Sequence, residues 1–253
     1  MIMKENIQIN GDAIELRKHF GQDIESPIDI FSMLENQDDL TVVFQPMGDS
    51  ISGICVRDKK NKIIAINSEM THGRQRFTVA HELCHLFFHT DLNSVVCPKR
   101  LDTKDEKEIE ANKFASYFLA PYNSLRNFIQ NRLGKCRGSL DVNDVVRIEQ
   151  FYGLSRQATL WRLVNEWYIK REVMETMQFD VIKSAVRLGY DNALYRPSPE
   201  DRKYFTLGKY VRLAEELKEK DIISTGMYEE YLLDAFRSDI VYGLSEENEE
   251  SCD

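Results

Sequence analysis

Hydrophobic positions along this chain change period several times, and each change marks an element. AIELRKHF and SPIDIFSMLENQ carry apolar residues at helical spacing. In the second, Ser26 reads as N-cap and Pro27 as first helical residue. Three strand-like runs follow: LTVVFQPM, SGICVRD and KIIAINSEM. The polar DKKNK between the last two predicts a hairpin. From Arg74 to His89 the period returns to that of a helix, and a loop containing Cys97-Pro98 comes next. A second helix is expected from about Lys104 to Leu119, stopping before Pro121, and a third from Tyr122 to Leu133. After Gly138 the pattern is helical in short lengths, and RPSPED (Arg196 to Asp201) reads as a linker or turn. The expected fold is therefore α+β. A small antiparallel sheet packs on helices over residues 1–135, and an all-helical unit follows over 139–253.

Composition narrows the class without changing this picture. The chain has 253 residues, 42% hydrophobic and 30% charged, enough for a sizeable core. No stretch approaches the eighteen apolar residues of a membrane span, and MIMKENIQINGD lacks a signal-peptide core, so the expected location is the cytoplasm with no membrane partner. The net charge of −9 disfavours non-specific nucleic-acid binding. Part of that charge lies in an acidic tail, residues 246–253, that reads as solvated. Five cysteines without a CxxC pair or secretory signal read as free thiols.

The chemistry is concentrated in VAHELCHLFFHTD. HELCH fits H-E-x-x-H. Residues four apart on a helix lie one turn above each other, so His81 and His85 can present ring nitrogens to one ion. Glu82 then stands beside the open coordination position as a general base and is not itself a ligand. The competing reading is a buried helix that happens to carry these residues. Its apolar cover (Phe77, Val79, Leu83, Leu86) makes two uncoordinated histidines and a glutamate costly to bury. Catalytic zinc sites use three protein ligands plus water. Glu110 is the expected third, because it opens the apolar stretch and precedes the small Ala111, while Glu106 and Glu108 read as a solvated helix start. His89 continues the row of histidines, but three ligands in line cannot surround a tetrahedral ion. It is read as an outer hydrogen-bonding residue, as is Arg76. Arg76, His72 and Tyr117 are weak candidates for oxyanion stabilisation.

GRQRFTVAHELCHLFFH and EANKFASYFLAP together, in this order, resemble the ImmA/IrrE family of metallo-endopeptidases, and the likeness extends over about residues 10–170. The resemblance implies one zinc ion per chain, held by His81, His85 and Glu110, with Glu82 as base. It also implies a helix-turn-helix repressor or antitoxin as substrate, whose cleavage derepresses a mobile-element, phage, defence or stress-response locus. Cys84 stands where the family commonly has glycine. Cys97, between the two ligand helices, is a candidate inhibitory ligand whose thiolate would take the fourth zinc position.

DVVRIEQFYGLSRQATLWRLVNEWYI has the shape of a helix-turn-helix at 141–170, with Arg156, Gln157 and Arg162 available to a groove. Five acidic against five basic residues over 141–172 weaken that reading, and the segment reads as scaffold. The aromatic-rich far C-terminus is expected to serve regulation or substrate docking. The alternative function is a non-proteolytic transcriptional regulator or partner-binding protein that retains a structural zinc site.

Overall fold

The computed structural model describes residues 4–89, 91, 93–98 and 104–243. The acidic tail expected at 246–253 and Cys252 lie outside the described residues. The helices are α1 (Asn6–His19), α2 (Ile30–Glu35), α3 (His72–Phe88), α4 (Glu106–Leu119), α5 (Tyr122–Asn127), α6 (Val142–Tyr152), α7 (Arg156–Asn165), α8 (Arg171–Met177), α9 (Val181–Arg187), α10 (Lys209–Glu219), α11 (Thr225–Asp234) and α12 (Ser238–Val241). The strands are β1 (Leu40–Gln45), β2 (Ile51–Arg57), β3 (Lys62–Asn67), β4 (Ser94–Pro98) and β5 (Phe205–Gly208).

The five strands form one sheet in the order β4-β2-β3-β1-β5. The expected hairpin is present, with β2 antiparallel to β3. The sheet is mixed rather than purely antiparallel, because β1 lies parallel to β3. Alternation decides which face is covered: Val42, Phe44, Ile64 and Ile66 are all buried under the helices. Against that face runs α3, buried from Phe77 through Leu86. With α4 and α1 beside it, α3 carries the chemistry-bearing residues at the centre of the core.

Buried guanidinium groups tie the helical layers together. Arg17 of α1, with no exposed surface, donates to the carbonyls of Phe118 (2.7 Å), Asp23 (2.7 Å) and Ser26. Arg162 of α7 donates to Ser116 Oγ (2.9 Å) and to the Ala120 carbonyl (3.1 Å), which closes the C-terminal end of α4. Such carbonyls at a helix end have no partner within the helix, so a buried donor there satisfies them.

Three expectations need correction. Ser26 is not the cap of the second helix: Asp29 is, accepting from Ser32, while Ser26 N donates to Asp23 in a preceding turn. The stretch after helix α3 is not loop alone, since β4 pairs with β2. The boundary expected between 135 and 139 is not a break in packing. One hydrophobic cluster runs from Ile9 of α1 through Tyr152 of α6 to Phe205 of β5. The C-terminal region also contributes β5 to the sheet, antiparallel to β1. RPSPED is docked rather than loose: Ser198 Oγ bonds Gln75 and Ser198 N donates to the Ser68 carbonyl at the start of α3.

Candidate metal centre

On α3, His81 and His85 sit one turn apart, nearly fully buried, with their Nε2 atoms 3.1 Å from each other. Glu108 of α4 brings a carboxylate oxygen to each, 3.4 Å from His81 Nε2 and 3.2 Å from His85 Nε2. The sulfur of Cys97 joins them, so that one donor atom from each of His81, His85, Glu108 and Cys97 lies within 4.8 Å of the others.

Glu110, the residue expected as third ligand, is elsewhere. It pairs with Lys4 at 3.0 Å and lies 3.5 Å from His89 Nε2. Two residues along a helix turn the side chain by about 200°. α4 therefore cannot send both glutamates to the same point. The face of α4 toward α3 is marked by Ala111 and by Asn112, whose Oδ1 lies 3.0 Å from His81 Nδ1. Glu108 is one turn before Asn112 and shares that face. The four-residue spacing puts Glu108 and Asn112 on one face, but that this face meets α3 is a fact of the packing.

The hydrogen bonds around the two histidines show whether a cation fits. His81 Nδ1 donates to Asn112 Oδ1, which leaves Nε2 with a bare lone pair. His89 Nε2 faces the carboxylate of Glu110, so its Nδ1 is free to accept from His85 Nδ1 at 2.9 Å. His85 Nε2 is then bare as well. These tautomers follow from the network. Two lone pairs and a carboxylate within 3.1 to 3.4 Å of each other are all acceptors. Without a cation between them they repel, and with one they make a coordination shell whose rings are fixed from behind.

Glu82 lies beside that set, near Cys97 and His85, and packs against Gly53 of the sheet. It is fully buried, and neither oxygen has a well-formed hydrogen bond among the described residues. Burial pushes its carboxyl up to about 7, against the opposing pull of Cys97, His85 and Cys55. Gly53 of β2 makes the room: a Cβ there would stand 2.6 Å from Thr78 Cγ2 and 2.9 Å from Glu82 Oε1. Burial also pushes Glu108 up, but with protons on the facing nitrogens of His81 and His85 the carboxyl falls to about 2, and a cation in their place pulls the same way. For Cys97, burial and the neighbouring Glu82 and Glu108 push the thiol well up, so it ionises only with a cation beside it.

The remaining candidates have other partners. Arg76, read as an outer residue of the metal site, spans the core instead, donating to the carbonyls of Gly153 (3.1 Å) and Ile28. His72 stacks near Phe31, its ring centroid 5.3 Å away. Tyr117 donates to Glu166 at 2.9 Å and lines a cavity of about 240 Å³ beside Asn112. A second cluster, Cys84, His89 and Glu110, is close enough to share an ion, but the Lys4 ammonium already supplies a positive charge there. Of the three groove candidates in the helix-turn-helix-like segment, Arg156 and Arg162 are buried in internal bonds and Gln157 faces solvent.

The stretch that carries this centre has known relatives. The model of a peptidase family, described as an IrrE N-terminal-like domain, matches residues 36–164, slightly more than half of the chain. The chain belongs to the IrrE N-terminal-like peptidase family. The match begins before β1 and ends in α7, so it includes β1 to β4, both helices of the centre and the α6–α7 pair, but not β5. Among curated relatives, immunity region protein 2 of Bacillus phage phi105 is 39% identical over 72 residues, 28% of this chain and 46% of that protein. The radiation response metalloprotease IrrE of Deinococcus deserti is 39% identical over 57 residues, 22% of this chain and 19% of that protein. The chain thus matches about half the length of the first and about a fifth of the second. No helix among the described residues is long and apolar enough to cross a membrane.

Proposed function

We propose that the protein is a zinc-dependent endopeptidase that cleaves a regulatory protein, a helix-turn-helix repressor or antitoxin, and so derepresses the locus it controls. The observation that carries this is a buried, non-ligating Glu82 next to a three-residue donor set of two imidazoles and a carboxylate. That donor set suits zinc. His81, His85 and Glu108 would hold the ion, and Asn112 and His89 set the two rings. When bound, zinc supplies Lewis acidity that polarises the scissile carbonyl and acidifies an attacking water. Glu82 takes the proton of that water and returns it to the leaving amine nitrogen. Burial works to hold its carboxyl above the usual carboxylate range, the direction a group that both takes and returns a proton needs. The choice of a regulator as substrate is supported by the two relatives, one named for a phage immunity region and one for a radiation response.

A second reading, a structural zinc site in a non-proteolytic regulator, is favoured by the fourth donor, Cys97. A closed set of four ligands is the mark of a structural site. Such a site has no use for Glu82, whose burial without a good partner is costly. Glu82→Gln decides between them. The variant is expected to keep about one zinc per chain and to lose cleavage of a helix-turn-helix repressor that the wild type cuts. Cleavage that survives the change rules out the mechanism, and the absence of cleavage in the wild type favours the structural reading.

A further inference from the structure

The folded centre is closed. Glu82 has no exposed surface and Cys97 is 1% exposed. A peptide bond must reach both the metal and Glu82 to be cut, so some element has to move. α3 and α4 are held in the core on most sides, and their movement would break the donor set. β4 is different. It is an edge strand that packs on β2, and no other element among the described residues holds it comparably.

Its register is informative. β4 runs antiparallel to β2, with Cys97 opposite Gly53, the residue against which Glu82 packs. Because Gly53 has no side chain, the thiol opposite it reaches over the strand to the His81, His85 and Glu108 donors. Ser52 Oγ latches the strand, donating to the carbonyls of Cys97 (3.2 Å) and Pro98 (3.1 Å). A main chain thus already lies in extended form across the site, paired by backbone bonds, with a metal-binding side chain at the reacting position. That is the placement a scissile segment needs.

We infer that the edge of β2 is the docking edge for the substrate's extended segment, and that β4 occupies it as a pseudo-substrate whose Cys97 takes the fourth coordination position. Substrate enters by strand exchange: it replaces β4 on β2, and the thiolate leaves the metal together with the strand. Backbone pairing of this kind recognises an extended or locally unfolded segment rather than a folded helix. The inference rests on the peptidase reading above.

The test uses full-length Glu82→Gln protein, so that nothing is cut, loaded with Co(II). Val56 and Ser94 form a directly opposed pair at the far end of β2 and β4 on the exposed face. Opposed residues of an antiparallel ladder are near enough for a disulfide. Val56→Cys with Ser94→Cys, in a background with Cys136→Ser and Cys252→Ser, therefore locks the strand reversibly. The probe is a peptide copying residues 93–98 with the Cys97→Ser change. A thiolate-to-cobalt absorption band is expected in the protein and absent after Cys97→Ser. The reduced protein should bind the peptide saturably and lose the band as it does so, and the oxidised protein should do neither. Absence of the band overturns the role of Cys97. Absence of saturable uptake by the reduced protein, or uptake that the disulfide does not block, overturns the strand exchange. Neither outcome touches the peptidase reading, which stands or falls on cleavage by wild type against Glu82→Gln.

Discussion

At the scale of single residues, the centre is organised by what stands behind each ligand. His81 is fixed by Asn112, and His85 by His89, which in turn faces Glu110 and, through it, Lys4. Glu108 and Glu110 therefore have separable roles. Glu108→Gln is expected to abolish stoichiometric zinc in elemental analysis. Glu110→Gln and His89→Ala should keep the ion but weaken its affinity about 10- to 100-fold, the usual cost of losing a residue that orients a ligand. Equal loss in Glu108→Gln and Glu110→Gln would show that the α4 face is misassigned. Gly53 acts on the other side of the site. In Gly53→Ala the added methyl meets Thr78 and the Glu82 carboxylate, so zinc content should stay near wild type while the cleavage rate falls. An unchanged rate would mean that Glu82 has room to shift.

At the scale of elements, the α6–α7 pair is a scaffold whose turn is built for packing. Gly153 caps α6 in the left-handed region at φ 66°, where a side chain would be strained and would also collide with the guanidinium of Arg76 on α3. The start of α7 is anchored inward. Arg156 bonds Glu149 of α6, the Met177 carbonyl at 2.7 Å and Ser184 Oγ of α9 at 2.9 Å. Glu149 also accepts from Tyr195 at 2.8 Å. One buried ion pair thus gathers five segments, α6 to α9 and the turn at Ala193–Tyr195. Arg156→Ala leaves Glu149 charged and buried, and should cost about 3–5 kcal/mol in denaturant unfolding. A loss below about 1 kcal/mol would mean the pair is not the anchor. The same burial is why the segment does not read as a DNA-binding element: two of its three groove candidates are used inside the protein.

At the scale of the whole molecule, an ion held by His81, His85 and Glu108 would join α3 to α4, the two helices packed together around the site. Anything that binds only the folded state stabilises it by mass action. Zinc at a hundred times its Kd would contribute about 2.7 kcal/mol, which in a chain of this size raises the melting temperature by roughly 5–10 °C. Chelation should remove that increment in wild type and do nothing in Glu108→Gln. An unaltered wild-type melt after complete metal removal would separate the ion from the fold. The C-terminal region belongs to the same body, since β5 covers the edge of β1 and Phe205 enters the common core.

Local pattern in the sequence determined much of this protein. Helical spacing specified α3 and the pairing of His81 with His85, alternation specified the hairpin, and the two motifs in order pointed to the peptidase family. These are properties of neighbours within one element, set by the period of helix or strand. Tertiary structure alone decided the rest. Which of two glutamates on α4 reaches α3 depends on how α4 packs against α1 and α3, and in that packing Glu110 meets Lys4, some hundred residues away in sequence. The strand character of Ser94–Pro98 was hidden because so short a segment is extended only when β2 offers it an edge. Closure of the site, with Cys97 set opposite Gly53, is a fact of register between two strands, and register is fixed by pairing rather than by either strand's own residues.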